Sequence, residues 1–170
     1  MALTLIGDGE HSRVVREALG RWGWPPGLHV AFVGKPGTPN RRDYIKVIPE
    51  GTELATIVHP TAHVSESAYI GGGSFIGAGA IVQAGAHIGY HCVINTGAIV
   101  EHDCQLGTGV HVAPRAVIGG GTWIGSWTTI GLGACVRDHI RIGESAIVAM
   151  GAVVVKDVPS GVTVKGVPAK

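Results

Sequence analysis

The chain has 170 residues, 45% of them hydrophobic, and its 13 basic and 12 acidic residues leave a formal net charge of +1. Without a basic run we expect no nucleic-acid surface, and without a long apolar run we expect no membrane span. The three cysteines form no Cys-x-x-Cys pair, which argues against a disulfide framework and against a thiolate zinc site.

The first 57 residues alternate between strand and helix patterns. The N-terminus has no basic segment before its apolar residues, so no signal peptide is predicted and a cytoplasmic location is expected. Residues 3–6 and 29–33 are predicted as strands, and residues 12–22 and 40–48 as helices. This order predicts a small α/β domain over residues 1–57. The turn that begins at Gly7 matches a dinucleotide-binding fingerprint only in part, because Ser12 stands at its third glycine position.

A six-residue repeat fills the rest of the chain. Every sixth residue from Val58 to Val154 is Val, Ile or Leu, seventeen positions in all, and a mostly small residue follows each one four places later. Helices repeat near 3.6 residues and simple strands at 2, whereas a period of six indicates a short strand and a corner. The 28 glycines suit such corners. We therefore predict a mainly β fold, a parallel β-helix over residues 58–170 with nearly six triangular coils of 18 residues each.

The pattern [Leu/Ile/Val]-Gly-x-x-[small]-x resembles that of the hexapeptide-repeat acyltransferases, whose fold is a left-handed β-helix. The terminal residues Gly166 to Lys170 also resemble the closing segment of that family. Together with a preceding Rossmann-like domain, the chain is similar to the NeuD/PglD family of sugar acetyltransferases, which acetylate sialic acid or nucleotide-linked amino sugars. The resemblance implies acetyl-CoA as co-substrate, a sugar or nucleotide-sugar acceptor, a homotrimer and no metal.

The N-terminal domain departs from that family in one respect. The acidic strand end that follows the first helix, which reads the nucleotide in relatives, is missing, and about one αβ unit is absent, so the Rossmann-like domain is truncated. The resemblance therefore implies weaker recognition of a nucleotide here, and leaves N-acetylation and O-acetylation both open.

The segment Glu101-His102-Asp103-Cys104 carries the predicted chemistry. Acyl transfer to an amine or hydroxyl needs a base, and an imidazole whose tautomer a carboxylate fixes suits this at neutral pH. The family motif His-[Asp/Glu]-Cys implies His102 as the general base and Asp103 as its partner. Glu101 is the alternative partner.

Further site residues follow from the coil length and from the resemblance. Gly120 lies one coil after His102, where the missing side chain leaves room for a thioester and the N–H can face an oxyanion. The resemblance implies that His111, Leu132 and Met150 also contact acetyl-CoA. Because His102 and His111 do not share a face, we expect them to meet only across a trimer interface.

The N-terminal turn supplies the predicted acceptor site. The resemblance places Gly9 and His11 opposite the acceptor, and backbone N–H groups at a helix start suit anionic groups.

Two other functions compete with acyl transfer. β-Helix carbonic anhydrases use three histidines, two of them five residues apart, and none of the nine histidines here has that spacing. A non-catalytic β-helix scaffold is the second alternative. The shortened N-terminal domain favours it, and the His102-Asp103 pair argues against it.

Overall fold

The computed structural model describes Val14, Arg42 and residues 54–170. Val14 and Arg42 are helical, and residues 54–170 form a parallel β-helix. The predicted α/β domain therefore lies almost entirely outside the described residues, and its boundary at residue 57 stays a prediction, as does the left-handed sense of the coil. Within the described part of the chain, no helix has the length and apolar character that crossing a membrane requires.

Eighteen two-residue strands in residues 54–170 stack into three parallel sheets, here called I, II and III. Sheet I contains β1 (Ile57–Val58), β4 (Phe75–Ile76), β7 (Val93–Ile94), β10 (His111–Val112), β13 (Thr129–Ile130), β16 (Ile147–Val148) and β18 (Thr163–Val164). Sheet II contains β2 (His63–Val64), β5 (Ile81–Val82), β8 (Ile99–Val100), β11 (Val117–Ile118), β14 (Cys135–Val136) and β17 (Val153–Val154). Sheet III contains β3 (Tyr69–Ile70), β6 (His87–Ile88), β9 (Gln105–Leu106), β12 (Trp123–Ile124) and β15 (Arg141–Ile142).

The chain visits the sheets in the order I, II, III, so each coil has a I–II, a II–III and a III–I corner. Every paired strand is offset by 18 residues over most of the helix, as with His111 and Thr129. The predicted coil length is thus confirmed, and up to the last coil, where the offset is 16, a residue lies next to the one 18 places later.

The interior of the coil is aliphatic. The second residue of each strand from β1 to β17 is one of the seventeen predicted aliphatic residues. Side chains alternate between the two faces of a strand, so this position faces the interior and the first faces outward. From Ile76 to Val154 these side chains are buried. Burying each one contributes about 1.5–3 kcal/mol, so the repeat itself supplies the core.

Several of the small inner residues have a hydroxyl or thiol group that donates a hydrogen bond to a backbone carbonyl. Ser74, Cys92, Cys104, Thr122 and Thr128 each donate to the carbonyl oxygen 15 residues further along the chain, at donor–acceptor distances of 2.6–3.2 Å. Buried carbonyl groups are costly to leave unpaired, so these side chains stabilise the corners from inside.

The C-terminal segment closes the last coil. Lys165 and Lys170 exchange two backbone hydrogen bonds of 3.1 Å, and the Ala169 N–H donates to the Val153 carbonyl at 2.8 Å. Ala169 also packs against the core. The predicted closing segment therefore covers the open end of the β-helix.

Candidate active site

The His102-Asp103 pair lies at the II–III corner that follows β8. The Nδ1 atom of His102 donates to Oδ2 of Asp103 at 2.9 Å, and the two side chains are 60% and 73% exposed. Asp103 has a left-handed backbone, with φ of 59°, a conformation that Asp adopts more readily than most residues. Its N–H donates to the Ala84 carbonyl at 3.0 Å, which ties the corner to the previous coil.

The hydrogen bond that His102 donates to Asp103 is the main reason that the pKa of His102 is raised. Partial desolvation of the ring opposes this effect, and the charges of Asp103 and Glu101 add to it. Because Nδ1 carries the proton toward Asp103, Nε2 is left as the proton acceptor. Of the two predicted partners, Asp103 supplies the hydrogen bond and Glu101 acts on the ring through its charge.

Gly120 lies against the reactive edge of the imidazole. A Cβ atom at position 120 would stand 2.6 Å from Nε2 and 2.7 Å from Cε1 of His102. The glycine itself is held in the coil, since its carbonyl accepts from the His139 N–H at 2.9 Å. The His102 ring therefore fills the space that the missing side chain leaves, and the thioester contact of Gly120 stays a prediction.

Cys104, the last residue of the motif, points into the core. Its thiol is buried and donates to the Gly119 carbonyl at 3.2 Å. Burial raises the pKa of Cys104 to about 11. A protonated, inward-facing thiol does not act as a nucleophile, and its hydrogen bond instead connects the His102 coil to the corner that holds Gly120.

His111 lies on β10 of sheet I, away from His102 on the same chain. It is buried, and its Nε2 atom is 3.4 Å from Nδ2 of Asn95. Asn95 Oδ1 also accepts from the Thr96 N–H at 2.8 Å. Asn95 was not among the predicted site residues, although one signal was present: it stands directly after a buried aliphatic residue, where this repeat often has Gly.

The two apolar site residues lie on another corner. Leu132 and Met150 are 55% and 76% exposed and stand one above the other on the I–II corner. His102 stands on the II–III corner, so sheet II separates the two groups within one chain. Gly9 and His11 lie outside the described residues.

The chain was compared with known protein families, curated proteins and solved structures. No family model matches the chain, and no curated protein matches its sequence. Among solved structures, the acetyltransferase domain of PglB from Neisseria gonorrhoeae FA1090 is 35% identical, with a TM-score of 0.88, and the match covers 99% of this chain and 98% of that one. The chain belongs to the NeuD/PglD-like family of hexapeptide-repeat sugar acetyltransferases.

Two further solved structures are similar to this hexapeptide-repeat acyltransferase. PerB from Caulobacter crescentus, in complex with CoA and GDP-perosamine, is 32% identical with a TM-score of 0.88, and the match covers 100% of this chain and 96% of that one. WeeI from Acinetobacter baumannii AYE is 23% identical with a TM-score of 0.83, covers 99% of both chains and supports the fold.

The predicted enzyme class is confirmed, since the chain is an acyltransferase of this family. The described residues of the acyltransferase contain no group of three or more His, Cys, Asp or Glu side chains that could hold a metal ion. The corner itself carries the imidazole, its carboxylate partner and the backbone groups of Gly120.

Proposed function

We propose that this acyltransferase moves the acetyl group of acetyl-CoA to the amino group of an amino sugar. Two relatives support this assignment: PglB's acetyltransferase domain was solved with acetyl-CoA, and PerB with CoA and GDP-perosamine. Acetyl-CoA is therefore the co-substrate. The observation that carries the mechanism is the 2.9 Å hydrogen bond between His102 and Asp103, which leaves Nε2 facing Gly120.

His102 is the general base in this proposal. Nε2 takes a proton from the acceptor amine as the nitrogen attacks the thioester carbonyl, and Asp103 stabilises the cationic ring. The new C–N bond forms first and gives a tetrahedral oxyanion, which collapses as the C–S bond breaks, and the proton passes from Nε2 to the departing CoA sulfur. The Gly120 N–H is the proposed donor to the oxyanion, which places the donor next to the base.

The outer sides of the three sheets support a homotrimer. On sheet II the outward side chains of Ile81, Ile99, Val117 and Val153 are half-buried, whereas Cys135 and the terminal His63 are exposed. Such an apolar face is unfavourable in water, and closed symmetric assemblies cover faces of this kind.

The other two faces do not offer such a surface. On sheet I the outward side chains of the first four strands, among them Phe75 and Val93, are already buried within one chain, and only Ile147 and Thr163 near the C-terminal end are exposed. Sheet III presents exposed side chains along its whole length, the polar His87, Gln105 and Arg141 and the aromatic Tyr69 and Trp123, and no aliphatic one. Sheet II is therefore the face that we place at the three-fold axis.

A trimer of this kind brings the separated site residues together. Sheet II is bounded by the I–II corner, with Leu132 and Met150, and by the II–III corner, with His102. In a cyclic trimer one edge of the face meets the opposite edge of the next copy. We propose that His102 of one subunit works with Leu132, Met150 and His111 of the neighbouring copy.

The acceptor site rests on the N-terminal residues, where Gly9 and His11 stay proposals. The missing αβ unit suggests a weaker preference for the nucleotide base than in full-length relatives. Calorimetry with GDP-, UDP- and dTDP-linked amino sugars and with the free amino sugars tests this. Tight binding that depends on one base would contradict the proposal, whereas similar affinities for all of them support it.

Turnover separates the enzyme from a non-catalytic scaffold. Release of the CoA thiol is followed with acetyl-CoA and a panel of amino sugars, with sialic acid as the hydroxyl acceptor. His102→Ala should lower kcat by roughly 10²–10⁴-fold, the usual share of general-base catalysis. His139→Ala is the matched control, because His139 is exposed two coils further on and lies 3.9 Å from Asp138. Equal rates for the two variants would exclude His102 as the base.

A further inference from the structure

Left-handed corner residues are stacked in a regular way along the β-helix. The third residue after each buried aliphatic residue has a positive φ at most corners, and six of these residues are not glycine. In five cases the non-glycine residue stands one coil after a left-handed glycine. The pairs are Gly73 and His91, Gly85 and Asp103, Gly97 and Arg115, Gly109 and Trp127, and Gly121 and His139.

In four of these pairs the later side chain occupies space that the glycine leaves open, whereas Arg115 stays at ordinary contact distance from Gly97. A Cβ atom at Gly73 or at Gly121 would stand 2.6 Å from Nδ1 of the histidine above it. One pair involves the candidate catalytic site, because a Cβ atom at Gly85 would stand 2.5 Å from Oδ1 of Asp103. The carboxylate thus has one oxygen against Gly85 and the other on the His102 ring.

We propose that Gly85 is a positioning residue that sets the orientation of the Asp103 carboxylate toward His102. The proposal rests on the proposed role of His102 as the base. The Asp103 backbone has little freedom to compensate, because its φ is 59° and its N–H is bonded to the Ala84 carbonyl at 3.0 Å. A methyl group at position 85 would therefore have to turn the carboxylate away, and that rotation breaks the 2.9 Å bond to Nδ1.

Loss of the Asp103 hydrogen bond would change the tautomer and the pKa of the His102 imidazole. Without the carboxylate the ring loses the partner that fixes the proton on Nδ1 and stabilises the charged form. Gly85→Ala should therefore reproduce the effects of Asp103→Ala, although residue 85 itself touches neither substrate nor the base.

A matched pair of variants separates positioning from backbone strain. Gly85 and Gly79 have φ values of +69° and +63°, so alanine is strained to a similar degree at both sites. A Cβ atom at Gly79, however, would meet nothing within 4 Å. The pKa and tautomer of His102 are measured by NMR in full-length protein without substrates, and the pH dependence of kcat/KM is recorded in parallel.

We expect Gly85→Ala to lower the pKa of His102 and to reduce the share of the Nδ1–H tautomer, whereas Gly79→Ala keeps wild-type values. The double variant Gly85→Ala/Asp103→Ala should match Asp103→Ala alone. Should alanine reduce folding at either site, the Gly85→Asn and Gly79→Asn pair repeats the comparison, because Asn tolerates left-handed backbone.

Identical His102 values in the two glycine variants would overturn the proposal. The NMR readout does not depend on turnover, so its result stands apart from that of the proposed function. If His102 titrates as expected in each variant but His102→Ala keeps its kcat, Gly85 orients the pair and the general base lies elsewhere.

Discussion

Replacing Gly120 by alanine tests the contact between this residue and the imidazole. The new methyl group would stand 2.6 Å from Nε2 of His102, whereas ordinary van der Waals contact begins at 3.4 Å. The ring has to move, because the corner is fixed by the bond from the His139 N–H to the Gly120 carbonyl. A displacement near ~1 Å of a catalytic group can cost about 10²-fold in rate. We therefore expect kcat to fall about 10²-fold, with the KM for acetyl-CoA nearly unchanged.

The fold should tolerate this variant. His102 and Asp138 occupy the same corner position one coil before and one coil after, so a Cβ atom suits the backbone there. Thermal unfolding should give a Tm close to wild type, while initial rates of thiol release at saturating substrates give kcat. Gly120→Val should also enter the space of the thioester and raise the KM. A kcat for Gly120→Ala within twofold of wild type would refute the placement of Nε2 beside the reacting carbonyl.

Three further predictions concern the pair, the assembly and the thiols. Asp103→Asn should shift the acidic limb of the kcat/KM profile to lower pH and lower its plateau, because the carboxylate is what raises the pKa of His102; an unmoved limb would contradict this. Light scattering should report about 52 kDa, three times the 17.5 kDa chain, and a monomer at working concentration would exclude a shared site. Alkylation followed by mass spectrometry at neutral pH should leave Cys104 unlabelled, since burial raises the pKa of its thiol to about 11, and should label Cys135 only when the assembly dissociates. Rapid labelling of Cys135 in the intact assembly would show that sheet II is not the interface.

The β-helix could be predicted from sequence because its interior admits few side chains. A narrow coil needs an aliphatic residue at every strand and a small one before each strand, and both series are visible in the sequence without an alignment. The stacking of Gly120 on His102 followed from the same period. The period did not predict that the His102 ring fills the space beside Gly120, because the position of a ring depends on χ angles and not on the coil length.

Other features of the site depend on corner conformation and were not readable in advance. Glu101 and Asp103 flank His102 equally in sequence. Asp103 has the left-handed backbone conformation of the corner, and its carboxylate is the one that accepts from Nδ1 of His102. Asn95 and His111 are 16 residues apart, and their side chains meet only because a corner and the next coil of sheet I adjoin. The N-terminal domain was predicted from local patterns alone, and the described residues do not test it.

Complementation between two inactive variants tests whether one site is built from two chains. His102→Ala removes the base on the II–III corner, and Met150→Glu places a charge on the exposed I–II corner, where the CoA chain is proposed to lie. If each site takes His102 from one subunit and Met150 from the next, co-expressed variants form mixed trimers in which some interfaces carry both wild-type residues. Random assembly at equal amounts gives about one quarter of interfaces intact, so about a quarter of wild-type activity should return.

The single variants, checked as trimers by light scattering, should remain inactive at low acetyl-CoA. If both residues served a site within one chain, no subunit would carry an intact pair and mixing would restore nothing, so the absence of recovery in confirmed mixed trimers would reject the shared site.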